Sequence, residues 1–212
     1  MIPPSTVFIV DDDPNVLRAL SRLLRAEGLE ARPYQSPQLF LKEHDPTIPG
    51  CLVLDMAMPG MSGLDLQQAL SLPDWQRPIV FLSGRGDVPS TVKAMKAGAV
   101  DFLTKPVNGK DLLAAVGRAN AQDLQARRER TELLAILRKL ATLTPRERQV
   151  MDHVVAGELN KQIAAELGTV EKTIKVHRAR VMLKMGVRSV AELVRLTERV
   201  GPGSASARNL SA

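Results

Sequence analysis

Short apolar runs alternate with amphipathic stretches through residues 1–121. Thr6–Val10, a weaker run at Ala31–Tyr34, Cys51–Leu54, Ile79–Leu82 and Asp101–Leu103 each have the length and bounding residues of a strand. Between the first two, Val16, Leu17, Leu20, Leu23 and Leu24 recur on one helical face, and Gly28 stands where that helix should end. Ser36 and Pro37 read as the cap and first residue of a second helix. Gly63–Leu70, Ser90–Ala97 and a stretch beginning at Gly109 supply three more. Strand–helix units in this repeated order predict an α/β fold, a doubly wound parallel sheet. In such sheets the functional crevice lies beyond the carboxyl ends of the strands.

The pattern then changes to helix alone. Residues 122–141 lack Gly and Pro and are expected to extend the fifth helix as a linker. Leu133, Leu137 and Leu140 mark an apolar stripe expected to dock on the next domain or on a second copy. The run Arg127–Arg130 interrupts any coiled-coil seam and reads as a solvated face, with weak phosphate contact as the alternative. In "LTPRERQV" Thr144, Pro145 and Glu147 form a capping-box start. Asn160 is expected to cap a short helix to Leu167, with Ile163, Ala164 and Leu167 inward; Gly168-Thr169-Val170 is the turn. Glu171–Met185 is a longer helix with Ile174, Val181 and Met185 inward, and Gly186 stops it. Ser189 and Glu192 open a last helix to about residue 200 with a second capping box. Four helices with a three-residue turn between the middle pair describe a helix-turn-helix module over residues 142–200, an all-α domain. The small, polar tail 201–212 is expected to be disordered.

Composition narrows the setting. Aromatics make up 3% of the 212 residues, so the cores are aliphatic and stacking on bases is an unpromising mode of binding. No apolar run approaches the roughly 20 residues of a membrane span. The first apolar run is too short for a signal peptide, and carboxylates follow it at once. The lone Cys51, inside the apolar run "CLVLD", reads as a buried packing residue, and a reducing cytoplasm fits. Residues 1–121 hold 12 Lys and Arg against 13 Asp and Glu, a net of −1; residues 122–212 hold 17 against 10, a net of +7. Only the second part is therefore suited to a polyanion.

Candidate chemistry collects at the predicted strand ends. The first strand runs into Asp11, Asp12 and Asp13, the third into Asp55, the fourth into Ser83 and the fifth into Thr104, Lys105 and Pro106. Clustered carboxylates repel unless a cation joins them, and a hard divalent ion such as Mg²⁺ or Mn²⁺ takes oxygen ligands. Lys105 adds positive charge and Ser83 a hydroxyl donor. The set suits a tetrahedral dianion, with one carboxylate placed to attack phosphorus. Asp13 reads instead as the cap of the first helix, with Pro14 at its first position. Met56, Met58 and Met61 are expected to pack the following loop, since thioethers are poor ligands for a hard ion.

The blocks "VDDD", "LDMAMPGMSG", "LSGRGD" and "KAGAVDFLTKP" resemble those of response-regulator receiver domains across the whole first part. The resemblance implies a phosphoacceptor at Asp55 and a metal held by Asp12, Asp55 and the carbonyl of Ala57, with Asp11 helping through water. It makes Lys105 the phosphate-binding lysine, Ser83 the switch hydroxyl, Phe102 the switch aromatic and the Lys105–Pro106 bond cis. The blocks "LTPRERQV", "NKQIAAELG", "KTIKVHRARVMLKM" and "VRSVAELVRL" resemble the DNA-binding domain of FixJ/NarL (LuxR-type) regulators, FixJ-like members above all. That resemblance implies base contacts from Lys175, Val176 and Ala179 and backbone contacts from Lys161, Lys172, Thr173 and Arg178. His177 is assigned either to packing or to a phosphate. The family commonly has Ser where this chain has Val170, which leaves the first turn of that helix uncapped unless Thr169 caps it from a shifted start.

The expected protein is a cytoplasmic two-component response regulator. A sensor histidine kinase, promoter DNA and a second copy met through the helix-four/strand-five face are its expected partners, with RNA polymerase a candidate. It is no enzyme beyond its own phosphotransfer and dephosphorylation. A metal-dependent phosphohydrolase is the alternative from another class, but such enzymes need a general acid two residues after the nucleophile, where this chain has Ala57. An output that binds proteins rather than DNA is the second alternative.

Overall fold

The computed structural model describes residues 5–70, 77–84 and 88–201; Arg85, Gly86 and Asp87 of "LSGRGD" and the tail from residue 202 lie outside them. The chain divides into two compact units after Arg127. The first holds β1 (Thr6–Val10), α1 (Pro14–Ala26), β2 (Glu30–Tyr34), α2 (Pro37–Glu43), β3 (Gly50–Asp55), α3 (Gly63–Ala69), β4 (Ile79–Ser83), α4 (Val88–Lys96), β5 (Asp101–Thr104) and the start of α5 (Gly109–Ala141). The strands are parallel, in the order β2-β1-β3-β4-β5.

Side-chain alternation along each strand builds two cores, one on each face. Val7 and Ile9 of β1, with Cys51 and Val53 of β3, pack against Leu17, Leu20 and Leu24 of α1 and Leu112, Ala115 and Val116 of α5. Phe8, Val10, Leu52, Leu54 and Phe81 face the other way, onto Phe40 of α2, Leu66 of α3 and Ala94 of α4. Helices on both faces explain why the central strands read as continuous apolar runs. The weak second run is the edge strand β2. Pro33 has no N–H to give a ladder, which an edge position tolerates.

A polar cluster that hydropathy does not show closes the amino end of the sheet. Arg77, only 6% exposed, donates to the carbonyls of Gly50 (3.0 Å), Ile48 (2.9 Å) and Asp45 (3.2 Å). Its guanidinium lies 4.2 Å from the centre of the Phe8 ring. Burial, then the neighbouring Arg77 charge, pushes His44 down to about 4, so its imidazole is neutral. Buried Asp123 accepts from the Gly50 amide (2.8 Å) and from Arg127 (2.8 Å). Arg127 reaches on to the carbonyls of Pro46, Thr47 and Ile48. The first unit thus extends past residue 121, and Arg127, read from sequence as part of a solvated face, is a bracing residue.

The second unit contains the end of α5 and then α6 (Pro145–Val155), α7 (Asn160–Glu166), α8 (Glu171–Met185) and α9 (Val190–Glu198). Its core gathers Ile136, Leu140, Leu143, Val150, Met151, Val154, Ile163, Ala164, Ile174, Val181, Met185 and Leu193. The apolar stripe of α5 lies one row over from its expected place: Ile136 and Leu140 are buried, while Leu133 and Leu137 are exposed. The Thr144–Glu147 capping box forms on both sides. Asn160 does not cap α7. It is the first helical residue, and the Gln162 side chain accepts from the Leu159 amide instead. Thr169 does not cap α8 either: the helix starts at Glu171 after Val170, with no side-chain cap. Ser189 accepts from the Glu192 amide, but the Glu192 carboxylate turns to the Arg188 amide, so that box closes one residue early.

Candidate phosphoacceptor site and nucleic-acid interface

The parallel register sets Asp55 beside Leu82 and Ser83 beside Thr104, so four strand ends finish at one edge. Lys105 spans the gap between them. Its Nζ lies 2.6 Å from Asp11 Oδ2 and 2.6 Å from Asp55 Oδ1. Its backbone amide donates to the Ser83 carbonyl at 2.7 Å, and its bond to Pro106 is cis, as the resemblance implied. The other carboxylate oxygens are held by main chain: Asp13 N–H on Asp11 Oδ1 (2.9 Å) and Ala57 N–H on Asp55 Oδ2 (3.0 Å).

The electrostatics follow from burial against charge. Burial raises the Asp55 carboxyl above the ordinary range, and Lys105 opposes it by favouring the ionised form. Burial also works against the Lys105 charge, but Asp11 and Asp55 outweigh it and hold the ammonium above its ordinary value. Asp11, Asp55 and Ser83 are buried, whereas Asp12 is exposed at the mouth. Asp13 lies outside this group: its side chain accepts from the Asn15 amide as the cap of α1. Phe102 is half-buried, its ring 6.4 Å from that of Phe81.

The loop after Asp55 is pinned at its far end. Ser62 and Asp65 form a reciprocal cap on α3. Gly63 packs beneath the nucleophile candidate, where a Cβ would stand 2.4 Å from the Asp55 carbonyl oxygen. For a metal, Asp11, Asp12, Asp55 and the carbonyl of Ala57 offer only oxygen, which fits a hard dication. The three carboxylates do not all come within 4.8 Å of one another; Lys105 bridges two of them.

In the second unit α8 carries Lys172, Lys175, Val176 and Ala179 exposed, with Thr173, His177 and Arg178 half-buried. Lys175 pairs with Glu171 at 3.1 Å on the open surface, a contact worth roughly 0.3–0.5 kcal/mol and easily exchanged for another anion. Arg178 donates to Asn160 Oδ1 (2.8 Å), tying α8 to α7, and Lys161 is exposed at the start of α7. His177 Nδ1 is buried without a hydrogen-bond partner, which favours packing over phosphate contact at that atom. The far end of α8 is clamped. Lys184 meets buried Glu147 at 2.6 Å and donates to the Thr142 carbonyl, and Lys139 donates to the Met185 carbonyl. Sequence reading saw Glu147 only as a capping residue, since nothing local links it to Lys184.

Comparison with known proteins matches both units. A family model described as the response regulator receiver domain covers residues 7–117, and one for bacterial regulatory proteins of the luxR family covers residues 141–197. Nodulation protein W of Bradyrhizobium diazoefficiens is 47% identical over 92% of this chain and 86% of its own. The transcriptional regulatory protein FixJ of the same species is 40% identical over 92% of this chain and 95% of its own. The solved structure of the response regulator StyR matches with a TM-score of 0.85 at 45% identity, covering 92% of this chain and 99% of that one. Both units recur together in single regulators of similar length, and the chain accordingly belongs to the FixJ/NarL (LuxR-type) family of two-component response regulators that control transcription.

Proposed function

We propose that a sensor histidine kinase phosphorylates Asp55 and that this event controls DNA binding by α8. The observation that carries the reading is Lys105, held between Asp55 and Asp11 at the strand ends. In the transfer the N–P bond of a phosphohistidine breaks as an Asp55 oxygen bonds to phosphorus. Asp11, Asp12, Asp55 and the Ala57 carbonyl would hold Mg²⁺ or Mn²⁺, which when bound neutralises charge on the phosphoryl oxygens. Lys105 stays on the phosphoryl group, and the Ser83 hydroxyl moves to donate to it. Phe102 turns into the space this opens, and the α4–β5 face changes shape.

That face offers something for a second copy to cover. Val88, Val92 and Met95 are exposed at 73%, 43% and 43%, one helical row of α4. Two α8 helices of a dimer then reach half-sites about one turn of DNA apart. Lys175, Val176 and Ala179 read base edges, while Lys161, Lys172, Thr173 and Arg178 hold the backbone, Arg178 sharing itself with Asn160. The only chemistry is the protein's own phosphotransfer and dephosphorylation. A promoter target fits a cytoplasmic protein, with RNA polymerase as a candidate further partner. Among the described residues no helix is long and apolar enough to cross a membrane.

Asp55→Asn tests the reading. The wild-type protein should take label from a small phosphodonor with Mg²⁺ and then bind promoter fragments more tightly. The variant should take none and show no phosphodonor-dependent gain. Undiminished labelling of the variant would remove Asp55 from the role.

A further inference from the structure

The second unit holds a group of ligating side chains apart from those assigned to DNA. His153 lies in the last turn of α6, Glu158 just beyond Gly157 in the bend, and Glu166 ends α7. His153 Nδ1 is 3.0 Å from Glu158 Oε2 and 3.5 Å from Glu166 Oε2, and the three ligating atoms lie within 4.8 Å of one another. Among the described residues no other three His, Cys, Asp or Glu converge so closely.

We propose that His153, Glu158 and Glu166 bind a borderline transition-metal dication such as Zn²⁺ or Co²⁺. The distances favour it. Zinc takes imidazole nitrogen and carboxylate oxygen at about 2.1 Å, which puts ligand atoms of a tetrahedral site about 3.4 Å apart. The two His153 separations already bracket that value. A single Nδ1–H can be aimed at one carboxylate only, whereas two converge on it here; with Nδ1 deprotonated, its lone pair and both carboxylates can be shared by one dication. Nitrogen with two oxygens is a poor set for Mg²⁺ and a suitable one for zinc or cobalt. Glu166 is exposed, so the site has a way in and room for water as the fourth ligand. A bound ion would cross-link the end of α6 to the end of α7, the helix on which α8 is packed. The inference is independent of phosphorylation at Asp55.

The test uses the full chain with excess Mg²⁺, which occupies hard oxygen sites and is spectroscopically silent. Co²⁺ is titrated in while its visible absorption is followed. The wild-type protein should bind one saturable Co²⁺ per chain, displaced by Zn²⁺, with a rise in the unfolding temperature of the second unit. Loss of a partner behind a metal ligand typically costs about 10- to 100-fold in affinity; His153→Gln, which removes a ligand itself, should cost at least that. Glu166→Gln, at an exposed position that folding tolerates, should weaken binding in the same direction. The proposal fails if His153→Gln binds Co²⁺ like the wild type while circular dichroism shows it folded. It also fails if no saturable Co²⁺ signal appears, which would leave the three side chains as an ion-paired cluster.

Discussion

Lys105 touches two carboxylates at the ends of different strands, and that contact depends on side chains no periodicity can rank. Their types could still be read: Asp, Ser and Lys at successive strand ends are costly to leave unmatched. Gly63 could not be read in the same way, because its role is the space it leaves beneath Asp55. Gly63→Ala should push the Asp55 backbone and slow labelling by a phosphodonor, even though every acidic residue remains; labelling at the wild-type rate would show that the loop gives way freely. Glu147 carries a second expectation. The Lys184 ammonium, and after it the Thr144 amide, hold its carboxyl near 2, against an ordinary 4.5. A depressed carboxyl contributes stability that is complete above the unfolded value and is lost as pH falls through the folded one. Between pH 4.5 and 2 the second unit should therefore lose stability more steeply in the wild-type protein than in Glu147→Gln. Urea midpoints taken across that window would refute this if the two slopes coincide.

At the scale of elements, hydrophobic period located the strands and helices because each apolar face meets a core of its own. Caps were legible where a short polar side chain precedes a helix directly, as at Asp13, Ser36 and Thr144. Asn160 misled because its amide serves Arg178, a partner eighteen residues on that no local rule includes. The start of α8 remains without a side-chain cap, and Val170 already has the extended backbone that a capping residue needs. Val170→Ser should therefore stabilise the second unit by about 1 kcal/mol. A rise in its denaturation midpoint would confirm it, and an unchanged or lower midpoint would show that the α8 amides are satisfied in another way.

At the scale of the whole molecule, the charge split separated a near-neutral unit from a basic one, and that division anticipated which one meets DNA. The position of the boundary was hidden. Arg77, Asp123 and Arg127 act on carbonyls and amides some thirty to eighty residues away, so their burial leaves no mark in the local pattern. A receiver fragment ending at residue 121 would leave the Gly50 amide without Asp123, a buried donor unsatisfied at a cost of about 1–3 kcal/mol. It should melt roughly 5 °C or more below a fragment ending at residue 130. Equal melting temperatures would mean that the floor of the sheet closes without Asp123 and Arg127.

The same brace sets a rule for building chimaeras. A junction chosen at the edge of sequence similarity, before Asp123, would hand the new output domain a loosened sensor, and a weak response would then be blamed on the graft. Joined after Arg127, this receiver keeps its own floor whatever output it is asked to drive.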